Sequence, residues 1–170
     1  MIVQAQGTTQ CGIINSKTIC NNGEELDFMW NGASLNKDQK QDQLYIKMNG
    51  RKIYEYALKN VHVAIKQTID ETGLGIDNIS KILIHQANAK MDEAMIARLF
   101  KLYGKENYPT DITPMTVQFL GNSSVATVCT LFDLINKRQL GNHRFTSKDY
   151  IIMASFGAGI NINCVLYQIP

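Results

Sequence analysis

Between Gly50 and Thr72 apolar residues recur at every fourth position: Ile53, Ala57, Val61, Ile65 and Ile69 form one stripe, widened by Tyr54, Leu58 and Ala64. That period predicts a helix with a single packed face, stopped by Gly73 and Gly75. Asp77 is expected to cap a short turn before an apolar run, Ile82-Leu83-Ile84, which reads as a buried strand ending in His85. Asn88 is a natural N-cap for a helix over Ala89–Tyr103, closed by Gly104. Pro109 and Pro114 punctuate the loop that follows. A further helix is expected from Ser123 to Arg138. Strands over Tyr150–Ser155 and Ile160–Leu166, joined by Phe156-Gly157-Ala158-Gly159, finish the pattern. Near the start, Met1–Gln6, Gly12–Ser16 and Lys17–Cys20 are extended candidates, broken by Asn21-Asn22-Gly23. The polar stretch Asn31–Gln43 reads as a surface loop. Alternating strands and helices predict a layered α/β fold with no internal repeat.

The helix after Ser123 breaks the one-stripe rule. Val125, Ala126, Val128, Cys129, Leu131, Phe132, Leu134 and Ile135 are all apolar, interrupted only by Thr127, Thr130 and Asp133. A helix that is apolar nearly all round belongs between two layers. One layer is the sheet of this chain. The other comes either from a partner layer outside the chain or from the chain's own loops.

Composition narrows the function classes. The chain has 170 residues, 45% hydrophobic and 19% charged, which fits one globular domain with a substantial core. A net charge of +2, without a basic run interleaved with aromatics, argues against a nucleic-acid surface. No apolar run approaches a membrane span and no secretory leader pattern opens the chain, so a cytoplasmic protein is expected. The four cysteines, Cys11, Cys20, Cys129 and Cys164, form no C-x-x-C pair, so neither a zinc site nor a disulfide framework is indicated. None is expected at a helix N-terminus, where a thiol is activated. His62 and His143 offer no metal-ligand spacing with His85, and no metal or cofactor is expected.

Candidate chemistry centres on His85 and Asn122. A histidine at the carboxyl end of a buried strand stands where α/β folds place ligands and catalytic groups; the plain alternative is a core histidine satisfied locally. Asn122 lies in the turn Gly121-Asn122-Ser123-Ser124, whose residues favour turns for local reasons as well. A neutral imidazole and a carboxamide, each on a rigid element, make a donor pair for a developing oxyanion. Gly157-Ala158-Gly159 allows close backbone approach, as an oxyanion hole of N–H groups requires; a plain hairpin needs glycine too.

Together and in this order, the motifs resemble the C-terminal half of β-ketoacyl-acyl-carrier-protein synthase III, a condensing enzyme of the thiolase fold. The likeness begins near Gly12-Ile13-Ile14, strengthens at Met48-Asn49-Gly50-Arg51-Lys52-Ile53-Tyr54, and is strongest at His85-Gln86-Ala87-Asn88, Gly121-Asn122-Ser123-Ser124 and Ser155-Phe156-Gly157-Ala158-Gly159. It implies a mixed sheet layered with helices, with residues 1–170 as the C-terminal thiolase-like domain. It also implies a Cys-His-Asn triad with His85 and Asn122 in the His and Asn roles. The nucleophilic cysteine belongs to the family's N-terminal half, which is expected to be absent from this chain. Asn88 would support His85. Phe156 matches the aromatic residue beside the catalytic cysteine, and Gly157, Ala158 and Gly159 would supply a backbone N–H to the acyl oxyanion. Lys90 stands where the family often carries an arginine facing the acyl carrier protein.

The activity so implied is an acyl transfer that opens fatty-acid synthesis: decarboxylative Claisen condensation of an acyl thioester with malonyl-acyl carrier protein. The implied partners are the carrier protein, acyl-CoA and malonyl thioesters, the cysteine-bearing half or a second subunit, and a dimer mate. The chain alone is expected to be inactive. The competing readings are a non-catalytic partner subunit of a complete synthase, and a related enzyme making polyketide or resorcinol-type products.

Overall fold

Along the chain the elements run β1 (Gly12–Cys20), β2 (Met29–Ala33), β3 (Leu44–Met48), α1 (Gly50–Asp70), β4 (Ile79–Ile84), α2 (Ala89–Leu102), α3 (Val117–Leu120), α4 (Thr127–Asn136), β5 (Tyr150–Gly157) and β6 (Asn161–Gln168). They are seen in a computed structural model that describes residues 11–21 and 23–170. The strand expected over Met1–Gln6 lies outside the described residues. Four strands form one mixed sheet in the order β1-β6-β5-β4, with β4 and β5 parallel and the other neighbours antiparallel. β2 and β3 form a separate antiparallel pair.

Strand alternation builds three layers. Ile82, Ile84, Ile152, Ala154, Ile162, Cys164 and Leu166 pack with α1 and α2. Their neighbours Leu83, Ile151 and Met153 pack on the opposite side, against Leu131, Ile135 and Leu140. Period-two side chains thus serve two cores at once, and this is why Ile82-Leu83-Ile84 reads as continuously apolar. The helix expected from the four-residue stripe is α1, whose Ala57, Val61, Ala64, Ile65 and Ile69 are all fully buried.

The structure corrects several expectations. The stretch Asn31–Gln43 is not all loop: its first residues complete β2, which pairs with β3 in the register Asn31↔Ile46. The 3-10 turn Ile76–Asn78 is closed by Asn78, whose Oδ1 accepts the Gly75 N–H at 2.9 Å, and not by Asp77. The last helix starts later than Ser123. A 3-10 turn occupies Ser124–Ala126 and α4 begins at Thr127. Cys129 therefore lies in the first turn of a helix, contrary to the expectation that no cysteine does.

α4 is packed on one side only. Thr127, Leu131 and Ile135 are buried, whereas Cys129 is exposed and Val125, just before the helix, is 94% exposed. Among the described residues no loop encloses this outward side.

Candidate active site

His85 stands one residue beyond β4, and its N–H donates to the Ala154 carbonyl at 2.9 Å, continuing the parallel β4–β5 ladder. The backbone at this position is therefore as fixed as the sheet. The ring is half-buried and meets Phe156, from the end of β5, edge to face, with 5.8 Å between centroids and 76° between planes. Burial lowers the imidazole pKa from its ordinary value, partly opposed by a backbone hydrogen bond with Ser124. The neutral ring is thus favoured near pH 7.

Asn122 belongs to a strained turn that two side chains hold. Gly121 has φ +65°, a left-handed conformation that suits glycine, and Ser124 has φ +53°, which a side chain rarely adopts. The Ser124 N–H donates to Asn122 Oδ1 at 2.9 Å, and its carbonyl accepts the Thr127 hydroxyl at 2.9 Å. With Oδ1 engaged, the Asn122 NH2 is the half of the amide left to donate. Thr127 Oγ1 lies 3.0 Å from Ser123 Oγ and 3.5 Å from His85 Nδ1. The first turn of α4 thereby links the asparagine turn to the histidine ring.

His85 and Asn122 open on the same cavity, of about 1200 Å³. Phe156, Gly157, Ala158, Asn88 and Ser124 line it as well. The rest of the wall is mostly apolar, including Met29, Ile46 and Met48 from the β2–β3 pair, Val125 from the turn before α4, and Val128 and Cys129 from its first turn.

Other candidates sit differently. Asn88 caps α2, its Oδ1 accepting the Met91 N–H at 2.9 Å, and it lines the same cavity as His85. Gly159 lies outside the cavity lining. It has φ +73°, and a Cβ there would stand 2.9 Å from Asn161 Nδ2, so glycine is required by the turn itself. Asn161 Nδ2 donates to the Ala158 and Gly159 carbonyls at 3.4 and 3.3 Å and steadies that turn. Lys90 is exposed in the first turn of α2, also outside the cavity lining. Cys164 is buried in β6, and burial pushes its thiol up to about 12, which makes it inert. Among the described residues no group of His, Cys, Asp or Glu could hold a metal ion, and no helix is long and apolar enough to cross a membrane.

Two contributors escaped the sequence reading. Thr127 carries one of the few polar side chains on a mostly apolar helix, which is a signal in itself. Gln86 is fully buried beside His85 and makes several hydrogen bonds to the loop ahead of Asn122; nothing in its residue type marks it as buried.

Residues 69–169 match the family model for the C-terminal part of 3-oxoacyl-[acyl-carrier-protein] synthase III. The chain belongs to that family. It is 30% identical over 175 residues to a β-ketoacyl-[acyl-carrier-protein] synthase III of Clostridium perfringens, covering 99% of this chain and 50% of that protein. A synthase III of Prochlorococcus marinus is 27% identical over 129 residues, covering 76% of this chain and 35% of that one. The solved synthase III of Thermus thermophilus superposes with a TM-score of 0.75 at 20% identity, over 96% of this chain and 48% of that structure, which shows the shared thiolase-like fold. The chain spans half or less of the length of these relatives.

Proposed function

We propose that this chain, as the C-terminal domain of a synthase III-type condensing enzyme, carries the part of the site that decarboxylates a malonyl thioester. The observation that carries the reading is the convergence of His85 and Asn122 on one cavity, in a chain of this family. In the malonyl group the C–C bond to the carboxylate breaks, CO2 leaves, and the electron pair passes into the thioester to form an enolate. His85 Nε2–H and Asn122 Nδ2–H donate to the oxygen on which that charge gathers. Such donors lower the barrier because the oxygen carries more charge in the transition state than in the bound thioester. The lowered pKa of His85 supports the role, since the ring is neutral near pH 7 and its Nε2–H tautomer can donate to that oxygen.

The enolate carbon then attacks an acyl thioester held on a cysteine. The new C–C bond forms as the C–S bond breaks and the thiolate departs. Gly157 and Ala158 line the cavity and would offer backbone N–H groups to the second oxyanion. The acyl-bearing cysteine comes from outside the described residues, on a segment like the remainder of the synthase III relatives. Acyl-CoA and malonyl-acyl carrier protein are the substrates of this reading, with Lys90 toward the carrier protein, and the assembled enzyme is a dimer.

Two measurements test it. Malonyl-CoA added to the labelled chain should shift the His85 and Asn122 side-chain resonances saturably. With a cysteine-bearing half added, His85→Ala and Asn122→Ala should each slow CO2 release by roughly 10²–10³ while the cysteine still loads with acyl. Loss of loading with decarboxylation intact would refute the assignment.

A further inference from the structure

We propose that Gln86 is a positioning residue for Asn122, tying the strand end that carries His85 to the loop that carries the asparagine. The proposal rests on the functional reading above and adds to it a residue that touches no substrate. Gln86 is fully buried and does not line the cavity. Its Nε2 donates to the Pro114 carbonyl at 2.7 Å. Its Oε1 accepts the Thr116 N–H at 2.8 Å, the Val117 N–H at 3.0 Å and the Thr116 hydroxyl at 3.2 Å. The amide has only one sensible orientation: turned over, its NH2 would face two N–H donors and its oxygen a carbonyl. Val117 opens α3, and the Gly121 N–H closes that helix on the Val117 carbonyl at 3.1 Å, one residue before Asn122. Gln86 is bonded in sequence to His85, whose backbone is locked to β5. The side chain therefore sets the spacing between the two donors from the side away from substrate.

The test uses the chain and its labelled Asn122 amide. Gln86→Met keeps the volume and removes every one of these bonds. The expected result is a displaced or broadened Asn122 side-chain signal. With a cysteine-bearing half added, the malonyl decarboxylation kcat should fall at least tenfold with KM little changed, and the Gln86→Met/Asn122→Ala pair should be no slower than Asn122→Ala alone, the non-additivity of residues acting as a unit. An unmoved Asn122 signal, or losses that simply multiply, would overturn the proposal. Where Gln86→Met does not fold, hydrogen exchange on the unmodified chain decides. The Thr116 and Val117 amides should be protected to the same degree as His85, and exchange at the rate of exposed loop amides overturns the tie. Should Asn122→Ala leave decarboxylation unchanged, the functional reading fails, while the Asn122 signal and the exchange data still report on the tie separately.

Discussion

Thr127 Oγ1 lies 3.5 Å from His85 Nδ1 while donating to the Ser124 carbonyl at 2.9 Å, so one buried hydroxyl serves both the histidine and the strained serine beside Asn122. Thr127→Val keeps the shape and deletes the hydroxyl. It leaves the Ser124 carbonyl without this partner and removes the hydroxyl beside Nδ1. One lost hydrogen bond is worth about 1–1.5 kcal/mol, so decarboxylation in the assembled enzyme should slow roughly tenfold. Thr127→Ser should restore most of the rate. The 15N shifts of the ring report the tautomer directly. An unchanged Nε2–H signal and an unchanged rate would remove Thr127 from the site.

The uncovered side of α4 gives a second expected contrast. Leu131 is fully buried against Leu83 and the β5 residues Ile151 and Met153, whereas Val125 is 94% exposed. Leu131→Ala should cost about 2–5 kcal/mol of unfolding free energy. Val125→Ser, measured on the isolated chain, should change stability by no more than about 0.5 kcal/mol. Urea unfolding of both variants checks this. A large loss for Val125→Ser would mean that the side is already covered in the chain alone.

The parts of this architecture that were legible in the sequence are those where one local pattern meets one environment. The stripe from Ala57 to Ile69 is the buried face of α1, with Ile53 half-buried at its start, and Ile82-Leu83-Ile84 is a strand sandwiched between two cores. The β2–β3 pair was not legible, because Asn31-Gly32 carries a turn signal and Leu44, Ile46 and Met48 are apolar yet exposed. The start of α4 is not legible in the sequence because Ser124 takes a positive φ held by its ties to Asn122 and Thr127. At the site, His85 and Asn122 were recognisable from their motifs. The residues that orient them were not, since a buried amide such as Gln86 is specified by loop carbonyls and N–H groups distant in sequence.

Asp92 is fully buried on α2, and among the described residues neither carboxyl oxygen has a hydrogen-bond partner. Burial, with the neighbouring Glu93 adding to it, pushes the carboxyl up to about 8. In the unfolded chain the group returns to the ordinary carboxylate range, near 3.9. Between those values the folded state holds a proton that the unfolded state has lost, so stability falls as pH rises from about 4 to about 8. The slope from this one group is up to about 1.4 kcal/mol per pH unit. Asp92→Leu removes the buried carboxyl and should flatten that decline, raising stability far more at pH 8 than at pH 4.5. Denaturation curves of the two proteins running parallel across this range would show that Asp92 is not the source.

His85 works in the opposite sense. Burial lowers its pKa, so above about 6.5, the ordinary histidine value, the ring is neutral in both states and contributes no pH dependence. As pH falls below that value the unfolded chain takes up the proton first, and the folded state loses stability until its own lower pKa is passed. His62 and His143, also lowered chiefly by burial, add to the same acid limb. The activity consequence is separable from the stability one. Malonyl decarboxylation by the assembled enzyme should persist below pH 6.5 and decline only as the folded His85 titrates, because protonation puts a charge and a second N–H on the ring that supplies this donor. Following the His85 ring by NMR alongside the rate gives both curves on one sample. Their midpoints should coincide, and a rate that falls while the His85 ring is still neutral would assign the acid limb to another group.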